Sequence, residues 1–233
     1  MPKSGKKENA MKKKLNAILL LILSFFLALG AGCEDSGGLA IAGKAGTLGL
    51  GGELTTAITS DINARVGYNR LDFDFDGDLG DIDYDFGLDF HSFSALVDWF
   101  VFDGPLRVTG GIISMNHKVH LEAGGASGEL EGIGDGTYDW TDIGILSGVA
   151  EVDGVAPYFG IGFGKNILDE NKRWGFYGDA GIAFTSSPGV TLASTGSVPG
   201  LADDLAKESK DIEHDLESFK YYPVLSVGLF IRF

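Results

Sequence analysis

The sequence predicts an all-β protein, an eight-stranded antiparallel up-and-down transmembrane β-barrel, and three observations point that way. An apolar segment near the N-terminus has the layout of an export signal, the final stretch alternates apolar with small or charged side chains, and the connections alternate between short and long. A barrel hides its hydrophobicity in every second residue, and that is how this chain distributes it.

Lys12, Lys13 and Lys14 precede an uncharged run from Leu15 to Leu29, and the small residues Gly30, Ala31 and Gly32 close it. This is the three-part pattern of a secretory signal peptide. The 15-residue run is shorter than the roughly 20 residues of a spanning helix, and Glu34 and Asp35 follow it instead of a basic stop-transfer cluster. Residues 1–30 therefore read as a signal peptide, with Met11 as a second candidate start, residues 31–38 as a short periplasmic N-terminus, and residues 39–233 as the barrel domain. Cys33 is the single cysteine, which excludes an intramolecular disulfide. Leu29-Gly30-Ala31-Gly32-Cys33 leaves two readings open, lipidation of Cys33 or ordinary cleavage after Gly30.

Residues 1–30 hold six of the 18 basic residues and one of the 33 acidic ones, leaving 12 against 32 in the exported part. That acidity disfavours nucleic acid as a partner. With 44% hydrophobic residues, 36 glycines and no further long apolar run, the chain suits strands that cross lipid.

In the last stretch Tyr221, Pro223, Leu225, Val227, Leu229, Ile231 and Phe233 share one parity, while Lys220, Ser226, Gly228 and Arg232 share the other. One face is thus apolar throughout. A strand of this kind ending in Phe resembles the element read by the outer-membrane barrel assembly machinery, an expected partner together with outer-membrane lipid. Trp174 to Phe184 and Val155 to Phe163 alternate in the same way. Ile62 to Phe75, Ile82 to Phe102 and Leu106 to Leu121 each change parity once, at Tyr68 to Leu71, Phe90 to Phe93 and Ile112 to Ile113. These slips are bulges, or points where a strand leaves the bilayer and continues above it. Ser60-Asp61, Asp103-Gly104-Pro105 and Leu168 to Arg173 are short turns, whereas 76–81, 122–154 and 186–218 are outer loops. Both chain ends then lie on the periplasmic side, so the strand count is even. The segment 39–58 must supply two strands, with a Gly-rich turn near Gly46 to Gly49, which makes eight.

An eight-stranded barrel is just filled by its own side chains. The inward set includes Lys44, Glu53, Arg65, Asp98, Arg107, Asp179 and Arg232, and charges of both signs in so narrow a lumen must pair or reach water. Two readings stay open, a plug of salt bridges and a polar path for a small charged solute. Residues 72–89 hold eight aspartates, of which Asp72, Asp74, Asp76, Asp78, Asp81, Asp83 and Asp85 form the candidate acidic mouth, followed by Asp89. An EF-hand-like spacing is present, but the alternating Phe73, Phe75, Ile82, Tyr84 and Phe86 are strand chemistry where an EF-hand needs helices. Clustered carboxylates at a mouth would concentrate cations, including cationic amino acids. Leu201, Leu205, Ile212 and Leu216 fall on one helical side and predict a short helix in the last outer loop, either gating the barrel or packing on its rim. For catalysis, His91, Ser92 and Ser114 are the nearest candidates, and nothing in their spacing forms a reactive group. His117 and His120 would point to opposite faces of a strand, poor geometry for one metal. No enzyme activity, cofactor or metal is expected.

Ala156-Pro157-Tyr158-Phe159-Gly160-Ile161-Gly162-Phe163, Trp174-Gly175-Phe176 with Asp179-Ala180-Gly181, and Ser187-Pro188-Gly189-Val190-Thr191-Leu192 form a recognisable set. With the acidic loop helix running into Tyr221-Tyr222-Pro223-Val224 and the aromatic terminus, the chain resembles the CarO-type ornithine-uptake porins of Gram-negative outer membranes. That resemblance implies an eight-stranded barrel and slow passage of ornithine or other basic amino acids. Two function classes follow, a narrow channel for small cationic solutes, and a non-conducting barrel serving surface structure, adhesion or envelope integrity.

Overall fold

A computed structural model of the chain describes residues 38–79, 82–101, 104–125, 129–134, 136–164 and 173–233, so the predicted signal peptide, Cys33, Phe102 and most of the Leu168 to Arg173 turn lie outside the described residues. Eleven strands are present among them: β1 (Leu39–Gly46), β2 (Gly49–Ala57), β3 (Ile62–Leu79), β4 (Ile82–Phe100), β5 (Leu106–Gly125), β6 (Glu129–Ile133), β7 (Gly136–Asp139), β8 (Ile145–Gly164), β9 (Trp174–Phe184), β10 (Gly189–Ser194) and β11 (Tyr221–Arg232). Eight of them close an antiparallel barrel in which β1 pairs with β2 on one side and with β11 on the other, and β8 pairs with both β5 and β9. Closure leaves no sheet edge within the barrel wall, which is the condition for strands to cross lipid. No described helix is long and apolar enough to cross a membrane.

The period-two pattern decides which side chains face out. Leu229 and Ile231 of β11, Phe159, Ile161 and Phe163 of β8, and Trp174 and Phe176 of β9 are all exposed, while Gly162, Tyr177, Asp179 and Phe230 between them are buried. Aromatic side chains mark both ends of this belt, with Trp99 and Trp174 toward the short turns and Tyr68, Phe184 and Tyr221 toward the long connections. Amphipathic rings settle at that depth of a bilayer. The Gly-rich turn predicted between β1 and β2 is a two-residue connection, Thr47-Leu48, followed by Gly49 at φ +98°. A side chain at Gly49 would also meet the carbonyl of Arg70 at 2.5 Å, so glycine is required there twice over.

The parity slips are not bulges. β3 and β4 keep one register from Ile62↔Trp99 to Leu79↔Ile82, and β5 and β8 keep one from Leu106↔Phe163 to Gly124↔Ile145. What changes is the surroundings. Strands of about 9–11 residues suffice for a bilayer, and β3, β4, β5 and β8 have 18, 19, 20 and 20 residues. Their upper halves stand about 25–30 Å beyond the barrel at about 3.3 Å per residue. There the outward face meets water, so the apolar residues Leu71, Phe73, Phe86, Leu88, Val119 and Leu121 move to the parity that faces inward lower down. The predicted loops 76–81 and 122–154 are therefore largely strand, because backbone paired with a neighbouring long strand needs no lipid to stay extended.

β10 extends this protruding sheet by pairing with the top of β8, from Gly189↔Glu151 to Ser194↔Leu146. The β6–β7 hairpin leads into a one-turn helix α1 (Trp140–Ile143), and the predicted loop helix is α2 (Leu201–Asp215), continued by a 3-10 turn over Leu216–Lys220. Leu201 and Leu205 of α2 pack with Ile133, Ile143, Leu192 and Val198, so the helix is seated on the protruding sheet beside the barrel end.

Candidate functional site: a charged and apolar plug in the lumen

Alternation delivers six of the predicted lumen charges to one place. Arg65 on β3 is at its centre, its side chain 4% exposed, with Nη1 3.0 Å from Glu53 Oε1 and 3.1 Å from Asp179 Oδ2, and Nε 2.7 Å from Asp98 Oδ2. Arg107 donates to Asp179 at 2.7 Å and lies 3.5 Å from Asp98. Lys44 pairs with Glu53 at 2.9 Å, Thr109 donates to Asp98 at 2.7 Å, and Tyr177 donates to Glu53 at 3.2 Å. Both guanidinium groups also lie over the Tyr177 ring, at 5.2 Å for Arg107 and 5.8 Å for Arg65. Three cations face three carboxylates, so the cluster is neutral as a whole. An isolated charge in this setting costs several kcal/mol, and the network offsets that cost by giving each carboxylate at least one cationic neighbour. Gly162 lets the pair form, because a Cβ there would meet Arg107 Nε at 2.5 Å and Asp179 Oδ1 at 2.6 Å. The seventh predicted residue, Arg232, is half-buried at the end of β11 opposite Ala40, outside this set of ion pairs.

Above the charges lies an apolar layer formed by Leu48, Leu96, Ile113, Met115, Tyr158 and Val224. Above that, buried His117 stacks on Phe90 at 4.4 Å and meets the edge of Tyr222 at 5.4 Å. Below, Phe230 and Tyr177 pack with Ala40, Ala42 and Ala57. Among the described residues Arg65 is flanked by two small spaces of about 20 Å³ each, one lined by Arg65 with Leu48, Ile113 and Tyr158, the other by Arg65 with Glu53, Asp98 and Phe100. That is room for about one water molecule each. The apolar layer was not anticipated; the parity change at Ile112 to Ile113 was its trace in the sequence, since an apolar residue that abandons the lipid face has to face the lumen.

The acidic residues are placed differently from a mouth lining. Asp72, Asp74, Asp76 and Asp85 share the parity of Tyr68 and Phe93, on the outward face of the protruding hairpin, while Phe73, Phe75 and Phe86 take the inward face. The β3–β4 register, continuous from the buried Arg65 upward, fixes this. Asp78 and Asp83 are described through backbone alone, paired with each other, and Asp81 lies outside the described residues. On this outward face Asp72, Asp89 and His91 bring their ligand atoms within 4.8 Å of one another. There His91 Nε2 meets Asp89 at 2.6 Å, its Nδ1 lies 3.0 Å from the Tyr68 hydroxyl, and Arg70 pairs with Asp72. Ser92 faces the lumen, opposite to His91, while Ser114 shares the outward face but pairs with Phe93, and the His91 ring nitrogens are taken by Asp89 and Tyr68. His117 and His120 point to opposite faces. In the C-terminal strand, Tyr221, Leu225, Val227, Leu229, Ile231 and Phe233 are all exposed on the outward face.

A closed eight-stranded wall with an apolar belt, aromatic ends and an ion-paired interior defines the fold class of the small outer-membrane β-barrels. Among solved structures the chain is similar to CarO of Acinetobacter baumannii, at 22% identity over 83% of this chain and 97% of that one, with a TM-score of 0.58. It is similar also to CarO2 of the same organism, at 24% identity over 86% of this chain and all of the other, with a TM-score of 0.59. The chain has the CarO-like barrel fold. No protein-family model matches the sequence, and the search of curated proteins finds no relative.

Proposed function

We propose that the protein is a sealed barrel of the bacterial outer membrane that holds a structured β-sheet above the membrane surface, and that it does not conduct solutes in this state. The observation that carries the reading is the neutral Arg65 cluster, with three cations against three carboxylates and only about 20 Å³ of space on either side. Side-chain filters for cations use rings of carboxylates free to bind the ion, and every carboxylate in this cluster already faces a cation. Of the aspartates that would recruit cations, Asp72, Asp74, Asp76 and Asp85 sit on the outer face of the hairpin. Export through residues 1–30, insertion by the assembly machinery acting on the strand that ends in Phe233, and residence in lipid complete the reading.

A second reading, a narrow channel for basic amino acids, draws on one observation. Arg65 is the one residue that lines both small spaces, so its displacement would join them and leave one net negative charge among Glu53, Asp98 and Asp179 for a solute's ammonium group. Planar-bilayer recording and liposome swelling with ornithine separate the two. The sealed barrel gives no conductance and no flux above protein-free membranes, and reproducible unit conductance or ornithine-dependent swelling replaces it with the channel.

A further inference from the structure

The protruding sheet has two edges, and they are treated differently. At one edge β10 is covered by α2, where Glu213 Oε1 accepts from the Val190 amide at 2.8 Å and Ser209 Oγ from the Leu192 amide at 3.2 Å. At the other edge β2 stops pairing with β3 at Leu50↔Arg70, while β3 continues against β4 to Leu79. Among the described residues none pairs with Leu71–Leu79 from the side away from β4. Nine residues of strand therefore present one side of their backbone unpaired, with Phe73 51% and Phe75 60% exposed on one face and Asp72, Asp74 and Asp76 exposed on the other.

We propose that this free edge of β3 is a strand-addition site for an extended peptide segment that alternates apolar and basic side chains. Main-chain hydrogen bonds to the open edge supply affinity, and the alternating pockets of a strand supply selectivity. The apolar residues of the guest would lie beside Phe73 and Phe75, and its basic residues beside the row of aspartates. A second copy of this strand fits poorly, because continuing the sheet with it would bring a further aspartate row against Asp72, Asp74 and Asp76, and like charges in neighbouring strands repel. The same carboxylates thus guard the edge against self-association and favour a basic partner.

The test uses the folded barrel in lipid nanodiscs and a nine-residue peptide alternating Val and Lys. Expected are saturable binding and slowed hydrogen exchange at the amides of Leu71–Leu79. A peptide N-methylated at alternate residues, which keeps its charge but cannot donate to the edge, should bind at least about tenfold more weakly. The triple variant Asp72→Lys, Asp74→Lys, Asp76→Lys should lose the Val–Lys peptide by at least about tenfold and gain a Val–Glu peptide; Asp74→Lys alone is the fallback should the triple variant misfold. Equal binding of the methylated peptide would reduce the effect to charge adsorption and overturn the proposal, as would unprotected amides at millimolar peptide. The outcome is independent of conductance, so its failure leaves the sealed-barrel reading standing.

Discussion

Replacing Arg65 by alanine removes the one side chain that touches all three buried carboxylates, at 2.7 to 3.1 Å. Lys44 and Arg107 then face Glu53, Asp98 and Asp179, two cations against three anions, and one carboxylate is left without a counter-charge. The least costly remedy is to protonate it. With an ordinary carboxyl pKa near 4, protonation at pH 7 costs about 1.4 kcal/mol for each of about three pH units, or about 4 kcal/mol. That agrees with the roughly 3–5 kcal/mol known for breaking a buried ion pair. The penalty should shrink as protons become available, to about 1.4 kcal/mol at pH 5. Urea unfolding of wild type and variant from lipid vesicles, followed by tryptophan fluorescence at pH 5, 6 and 7, measures both size and slope. A loss under about 1 kcal/mol at pH 7, or one that does not change across this range, would refute the argument that these charges are sealed from water.

Other expectations are independent of that one. Leu229→Arg puts a charge on the outward face between Gly43 and Phe176, and should cost about 2–4 kcal/mol in vesicle unfolding. Gly162→Ala places a Cβ 2.5 Å from Arg107 Nε and should destabilise by about 1–3 kcal/mol, whereas Gly43→Ala, with nothing within 4 Å, should be close to neutral. Asp139 caps α1 by accepting from the Thr141 amide at 2.9 Å and the Thr141 hydroxyl at 2.7 Å, bonds that hold its carboxyl below the usual aspartate value of 3.8. A lowered folded-state pKa means the cap contributes above that ordinary value and is lost as pH falls through the folded one. An NMR titration should place the Asp139 midpoint below 3.8, and Thr141→Val should move it up.

Much of the barrel is legible in the chain because lipid imposes a strict rule on each spanning strand. Trp174 to Phe184 has the predicted bounds, and β1 and β2 follow from requiring an even strand count. The inward parity of Lys44, Glu53, Arg65, Asp98, Arg107 and Asp179 could also be read, since each lies between residues committed to lipid. Their partners could not. Arg65 and Asp179 are 114 positions apart, and only the closed circuit of strands brings β3 and β9 to opposite walls of one narrow lumen. Where the lipid stops, the rule stops with it. The segment 145–154 looked like loop because neither face is uniformly apolar, yet it is strand, held by its pairing with β5 and β10.

By itself the sequence determined the fold class, the strand count and the parity of the lumen charges, because period-two hydrophobicity against a bilayer is a local signal repeated strand by strand. Only the tertiary structure decided that Arg65 is shared by three carboxylates, that an apolar layer closes the lumen above them, and that the aspartates turn outward beside an open strand edge. These depend on register and on barrel closure, which fix distances between residues far apart in the chain, and within any one strand they leave at most a change of parity such as that at Ile112 to Ile113.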